Sequence, residues 1–317
     1  MAKSYDQKAV LFKAEVTEGT DSVPTGAANS FRTLDYTPTF MEADQRVRNI
    51  DVPYFGAKPT LLYNLRRGAN FGIEMAGAGT ATGIPAWMVL NQMAGFGAGT
   101  AGASSVVQTG GVPRSFSHYA AFLDEVDISK SLILKALGGK STLGFRLEDD
   151  DFPRFNYGYL GRPPQTLAEE GAMPSVTYGG QADPVLASTE NTTFTLDGFP
   201  LPLRSIELNS NAELAMRSLI GPQDYIAYRN DAWGGTIVGE LPSLSAKNYF
   251  TSIRPGTTMP LQLIHGTVVG NIVQIDAPKV QISGAVGISE EQGKVMFTMP
   301  VSLIPVTGND EIVFTSK

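Results

Sequence analysis

Three clusters in this chain carry residue types that can do chemistry. Asp149-Asp150-Asp151 offers oxygen ligands for a divalent cation. A calcium loop spaces its carboxylates and adds a glycine and a distal glutamate. Three adjacent carboxylates instead predict a solvated hairpin end. Gly97-Ala98-Gly99-Thr100-Ala101-Gly102 matches the dinucleotide-binding glycine pattern. That motif needs a strand before it and a helix after it, so that phosphate meets a helix N-terminus. Here a helical pattern precedes it and Ser104-Ser105 follows, which predicts a flexible loop over Gly95 to Gly111. Gly139-Lys140-Ser141 matches the end of a phosphate-binding loop, but the position five residues before Gly139 is Leu134, inside a β-like run. The expectation there is a hairpin turn between Leu137 and Leu143.

Both histidines, His118 and His265, sit in similar local settings, Ser117-His118-Tyr119 and Ile264-His265-Gly266. A catalytic histidine needs a nucleophile or carboxylate partner, and no Gly-x-Ser-x-Gly elbow supplies one. Packing or a strand-end hydrogen bond is the expected role of both. The Asn191-Thr192-Thr193 sequon has no signal peptide to give it meaning. No catalytic, cofactor-binding or metal-ligating residue is assigned, no cofactor is expected, and the chain reads as a non-enzyme.

The elements around these residues repeat. Ala86, Val89, Leu90 and Met93 fall at i, i+3, i+4 and i+7, and so do Ala246, Tyr249, Phe250 and Ile253, with 246 − 86 = 160. Each stripe predicts a short amphipathic helix, the first opened by Pro85 and the second capped by Ser245. Strand-like Phe71 to Met75 and Ile237 to Leu241 precede them. Longer polar, arginine-containing loops precede those, the clearest being Met41 to Lys58 and Ala212 to Tyr228. Alternating pairs close each half: Leu143, Phe145 and Leu147 with Phe155, Tyr157 and Tyr159, then Val280 and Ile282 with Val295 to Leu303. This order predicts a mainly β chain of two tandem β-sandwich or split-barrel domains, each with one short α-helix. The first, residues 1–161, starts with a strand-like arm at Ser4 to Glu18. Residues 162–191 read as a linker, rich in turn pairs such as Pro163-Pro164 and Gly179-Gly180, and 192–317 as the second domain.

Composition narrows the function. Charged residues make up 17% of the 317, below the roughly 25% usual for a soluble domain, which favours a surface covered by neighbours. The net charge of −7 opposes a grip on nucleic acid, which comes from Lys and Arg on phosphates. Cysteine is absent, so disulfides, thiolate metal sites and a Cys nucleophile are excluded. No run approaches the ~20 apolar residues of a membrane helix, and no secretory signal opens the chain, so synthesis in a cytoplasm is expected.

Several stretches resemble the tail tube proteins of long, non-contractile phage tails. In the first half they are Val16-Thr17-Glu18-Gly19-Thr20-Asp21, Pro24 to Asn29, and Glu74-Met75-Ala76-Gly77-Ala78-Gly79 leading into Pro85-Ala86-Trp87. In the second they are Ile264-His265-Gly266, Asn271 to Val280, Leu303-Ile304-Pro305 and Gly308 to Glu311. The resemblance implies a structural virion protein whose inner sheets join across subunits into a barrel around a channel. Stacked rings then form the tube through which the genome leaves. It also implies tape-measure, tail-terminator and baseplate partners, passage of DNA without specific binding, and no membrane partner. A chain with two such domains closes a ring as a trimer with approximate sixfold symmetry, ahead of a hexamer of whole chains. The alternative is a carbohydrate- or receptor-binding β-sandwich on a virion, with aromatics around Asp151 to Tyr157 as its binding face. For the tube, an acidic channel is expected, with Glu74 and Glu240 as candidates, and the long polar loops are expected to bridge rings.

Overall fold

The computed structural model describes residues 2–218, 225–229 and 232–317. The chain is mainly β and its strand pairs are antiparallel. Alternation of apolar and polar residues builds them, as in Leu143, Phe145 and Leu147 facing Phe155, Tyr157 and Tyr159, all buried.

The two halves repeat one pairing order. In the first, strand Lys3–Ala14 pairs with Phe116–Asp124, which pairs with Ser131–Glu148, then Arg154–Arg162, Thr60–Glu74 and Leu34–Val47. In the second, Thr192–Leu196 pairs with Met259–His265, then Val273–Ile282, Lys294–Leu303, Gly234–Glu240 and Leu203–Asn209. Each order has a matching further strand. Glu169–Gly171 joins the start of Ser131–Glu148, and Val313–Ser316 joins the start of Val273–Ile282. The repeat therefore runs past Gly161 into the stretch expected to be a linker.

That stretch is a strap rather than a free tether. Thr177 N donates to Gly26 O (3.0 Å), Ala182 N to Gly77 O (3.0 Å), and Ala86 N to Gly180 O (3.0 Å). Gly26 is required for this, because a Cβ there would lie 2.2 Å from the Ser175 carbonyl oxygen. The expected N-terminal arm is likewise a core strand, with Ala9 to Phe12 buried.

The strand Ser131–Glu148 organises the first half. Its start pairs in the outer sheet and its end in the inner one. Gly138 (φ +63°) and Gly139 make the switch, where a Cβ on Gly139 would overlap the Tyr159 ring. The expected hairpin turn at Gly139 is thus a bend within one strand. The end of the same strand, Gly144 to Glu148, pairs with Asn209 to Ser205 of the second half. One inner sheet consequently crosses both halves, and one hydrophobic cluster lies beneath it. Phe96 and Trp233, and Trp87 and Phe314, meet across the halves at 5.9 and 5.7 Å.

The helices depart from expectation. Ala86–Asn91 is α-helical, but Trp87, Met88, Leu90 and Asn91 are all buried, so it is a plug rather than a one-sided surface helix. Among its described residues the second half has only a 3₁₀ turn, Tyr249–Ser252, capped by Asn248 rather than Ser245. Tyr249 is buried there, whereas Ala246 and Ile253 are exposed. Helical periodicity over nine residues did not outweigh the turn chemistry of Asn248 and Pro255-Gly256.

Candidate functional site

Inner-sheet side chains that point away from the core form one face across both halves. Its ladder positions run Glu74, Arg154, Arg146, Glu207, Thr236 and Pro300 in one row. The adjacent row runs Gly72, Asn156, Gly144, Asn209, Gly234 and Ser302. Amides alternate with glycines there because the rows are tight: a Cβ on Gly144 would lie 2.4 Å from Asn209 Oδ1, and one on Gly158 2.8 Å from Thr142 Oγ1. The second row is low and polar, and the charges beside it are mixed: Glu74, Glu148, Glu207 and Glu240 lie with Arg146, Arg154 and Arg204. Partial burial raises the Glu74 carboxyl above its ordinary value, with Arg32 acting in the opposite direction. Lys140 is drawn away from the face by Glu18 Oε1 (3.0 Å) and the Ile226 carbonyl (2.9 Å).

Beyond this face the first half ends in a long hairpin, Leu34–Val47 with Thr60–Glu74. Residues 41–47, expected within a polar loop, are strand, and only 48–59 connects them to Thr60–Glu74. Tyr54 and Phe55 are exposed at its tip, and Leu61, Leu62 and Tyr63 along its side. The corresponding stretch of the second half is a hairpin too, Glu213–Arg217 with Tyr225–Arg229. Ile220, between these two strands, lies outside the described residues. This hairpin folds back on the first half, where Tyr228 OH donates to Ala94 O (2.9 Å).

The chemistry-bearing motifs are dispersed into structural roles. Asp149, Asp150 and Asp151 make the turn after Glu148: Asp149 faces Arg204 at 3.4 Å, Asp150 takes φ +60°, and Asp151 Oδ1 accepts from Phe152 N at 2.8 Å. Among the described residues, no group of three or more His, Asp or Glu side chains is placed to hold a metal ion. The expected flexible glycine loop is tied down, with Val106–Gln108 pairing to the C-terminal strand. Gln108 is fully buried, donates to Met88 O (2.7 Å) and Gly97 O (2.8 Å), and accepts from Asn91 Nδ2 (3.0 Å). Tyr157 OH completes the network on Asn91 Oδ1 at 2.7 Å. Phe155 and Tyr157 are core residues, leaving Phe152 the one exposed aromatic of Asp151 to Tyr157.

The histidines lie on corresponding strands but at opposite ends. His118 is near the start of Phe116–Asp124, opposite Phe12, and His265 closes Met259–His265, opposite Thr192. Their sequence offset therefore does not mark equivalent positions. His265 Nε2 donates to the Val185 carbonyl (3.0 Å), which leaves Nδ1 to accept from Thr192 Oγ1 (2.9 Å). His118 Nε2 shares a hydrogen bond with Tyr36 OH at 3.1 Å, and its ring stacks on Phe12 at 4.5 Å. Burial, and then the Arg67 charge, hold His118 down at about 3, so it is neutral.

Three buried charged side chains carry no sequence motif, Arg67, Glu15 and Asp124, the last paired with Lys3 at 2.8 Å. Arg67 gives Nε to Phe40 O (2.8 Å), Nη1 to Lys135 O (2.5 Å) and Nη2 to Leu167 O (2.7 Å), fastening hairpin, outer sheet and strap together. Glu15 accepts from Ser117 Oγ, Gly138 N and Gly19 N at 2.8, 2.8 and 2.7 Å. An arginine inside an alternating run was the one visible signal for Arg67. No helix among the described residues is long and apolar enough to cross a membrane. Comparison with protein-family models gives no match, and comparison with curated proteins gives none either.

Proposed function

We propose that this chain is a structural subunit of a phage tail tube. The observation that carries the reading is the inner sheet that crosses both halves and presents one continuous polar face. A face of Asn, Gly, Thr and Ser whose arginines are paired with carboxylates suits a channel wall, because each free Lys or Arg would add a phosphate contact, and with it affinity that slows a passing DNA. Rings of the chain stack into the tube, which first holds a tape-measure protein and later conducts the genome. Terminator and baseplate proteins cover its ends in the virion. The protein acts as a scaffold, with neither a cofactor nor a catalytic centre.

Both halves contribute strands to the same face, which supports a ring in which they sit at one radius. Three chains then supply six similar units. A hexamer with one half inside and the other outside is less compatible with a sheet shared between the halves. The exposed tip with Tyr54 and Phe55 is the part of the subunit suited to reach the next ring.

Negative-stain imaging of the purified chain tests this. Rings and tubes are the expected result, with three large units per ring, and a protein that stays as single particles at high concentration overturns the reading. Deleting residues 49–57 sharpens it. These residues lie outside the paired strands, so rings should form and melt normally, while tubes of normal length should be lost. Long tubes from the deletion would remove the tip from ring-to-ring contact.

A further inference from the structure

The pairing of Leu203–Asn209 with the end of Ser131–Glu148 is a finished junction between the halves, and the chain exposes both surfaces needed to make the same junction again. Ladder positions across the first half run Ile73, Phe155, Phe145 and then Leu208 of the second half. Aligning Glu74 with Glu240, each at the end of its strand, gives the matching ladder Gly239, Phe297 and Ile288. There it stops. Gly287–Glu291 pairs with Lys294–Leu303 and, among the described residues, with no other strand. Phe145 is 1% exposed and Ile288 is 67% exposed, although both face the core side of their sheet. Val295 is 48% exposed where the matching Pro153 is buried. These apolar side chains are bare on the side where the first half has a partner strand.

The complementary edge lies at the other end of the sheet. In the finished junction the docking strand is Leu203–Asn209, where Leu208 pairs onward with Gly235. The same alignment places Ala69 at Gly235, and Ala69 pairs with Pro38. Leu34–Val47 is thus the counterpart of Leu203–Asn209, and among the described residues it pairs only with Thr60–Glu74. Its hairpin leaves Phe40, Leu61, Leu62 and Tyr63 exposed, whereas the second hairpin, lodged on the neighbouring half, has Ile226 fully buried.

We infer that strand Leu34–Val47 of one chain docks antiparallel on Gly287–Glu291 of a second copy, in the register of the internal junction. Glu207 opposite Arg146, Leu208 opposite Phe145 and Asn209 opposite Gly144 become Thr37 opposite Ser289, Pro38 opposite Ile288 and Thr39 opposite Gly287. The occupant is a second copy because the template for the contact lies within this chain. Its two surfaces differ, so the contact is head-to-tail and propagates until a ring closes. The inference deepens the proposed function and rests on that reading only for the closed ring.

The absence of cysteine makes a direct test possible. The full-length Thr37→Cys, Ser289→Cys double variant, oxidised after assembly, should give a covalent ladder ending at one closed species. Each single variant should give no ladder, and the yield should fall by roughly tenfold or more when Glu291→Cys replaces Ser289→Cys, since pairing holds only the matched thiols together. Both changed residues are exposed, so folding is not at stake. In parallel, Ile288→Asp should leave the thermal melt of the subunit unchanged and abolish ring closure. Rings or tubes that form without the matched crosslink, or that survive Ile288→Asp, overturn this register and leave the tube reading standing. A closed ladder without stacking supports the junction and counts against the tube. A native chain that stays monomeric overturns both.

Discussion

The two halves share a strand order and differ in what fills the space beneath it. The first half is plugged by the Ala86–Asn91 helix and lined with rings, Phe12, Phe71, Trp87, Phe155, Tyr157 and Tyr159. The second has a 3₁₀ turn there and a core of Leu, Ile, Val and Met around Tyr249 and Phe297. Both cores satisfy the same sheets, so pairing order rather than any particular plug defines the unit. The halves also differ in their buried polar groups and in their edges. The first half holds the buried polar groups Glu15, Arg67 and Gln108, each bonded to several segments, and His118, bonded to Tyr36. The second half carries the bare Gly287–Glu291 edge, and the first half the complementary unpaired edge of Leu34–Val47.

The largest effect should separate the plugs. Leu90 is fully buried in the helix, and Phe250 is only half-buried in the turn. Leu90→Asp places an unpaired carboxylate in the core, at a cost of about 4 kcal/mol or more, and should remove soluble protein. Phe250→Asp can turn its charge to water and should cost about 1 kcal/mol or less. Chemical denaturation of both variants gives the comparison. Equal losses would mean that the turn is as much a part of its core as the helix is.

A smaller effect should come from Arg67, whose aligned position in the second half is Trp233, also buried. Arg67→Met keeps the stem and strands the carbonyls of Phe40, Lys135 and Leu167, which lose their donors together. A loss of about 3 kcal/mol is expected, with earlier proteolysis in the strap around Leu167. A neutral result would show that water replaces the guanidinium and that the strap is held by its other bonds alone.

These contrasts show what the sequence can and cannot display. The alternations Leu143-Phe145-Leu147 and Phe155-Tyr157-Tyr159 were legible, and with them the mainly β class, because a two-residue period directly reports burial on one side. The repeated order of strands was legible for the same reason, whereas the helix and the loop expected in each half were not both repeated. The helical stripe at Ala246 to Ile253 misled, since over nine residues a 3.6 period and an irregular turn differ little. The glycine-rich stretch around Gly97 to Gly102 read as flexible, because its tether is a cross-half pairing with Val313–Ser316 that no local pattern encodes. The open face was visible only in part. Glu74 and Glu240 stand out in their strands, but the Asn–Gly row exists only once five pairings bring its members side by side.

The gentlest test uses pH, because the histidines differ in burial chemistry although they lie on corresponding strands. Burial is the main reason that His118 is held down at about 3, and Arg67 adds to it, while Tyr36 and Tyr159 beside it stay neutral with their hydroxyls pushed upward by burial. Unfolding restores an ordinary value near 6.5. Between those values the unfolded chain binds a proton that the folded chain refuses, so stability should fall as pH drops from about 6.5 toward 3. At pH 5 this amounts to about 2 kcal/mol from His118. His265 is also lowered by burial, but its hydrogen bond to the Val185 carbonyl opposes the shift, so its contribution has the same sign. His118→Phe fits the stack on Phe12 and forfeits the bond to Tyr36, so its stability at pH 7 carries an offset. The informative quantity is therefore the slope between pH 7 and pH 5 in urea titrations. His118→Phe should have a shallower slope than the parent, and His265→Phe should change it less. Parallel slopes for all three proteins would mean that His118 takes up its proton in the folded state, and that the first half's polar core opens to water more readily than its packing implies.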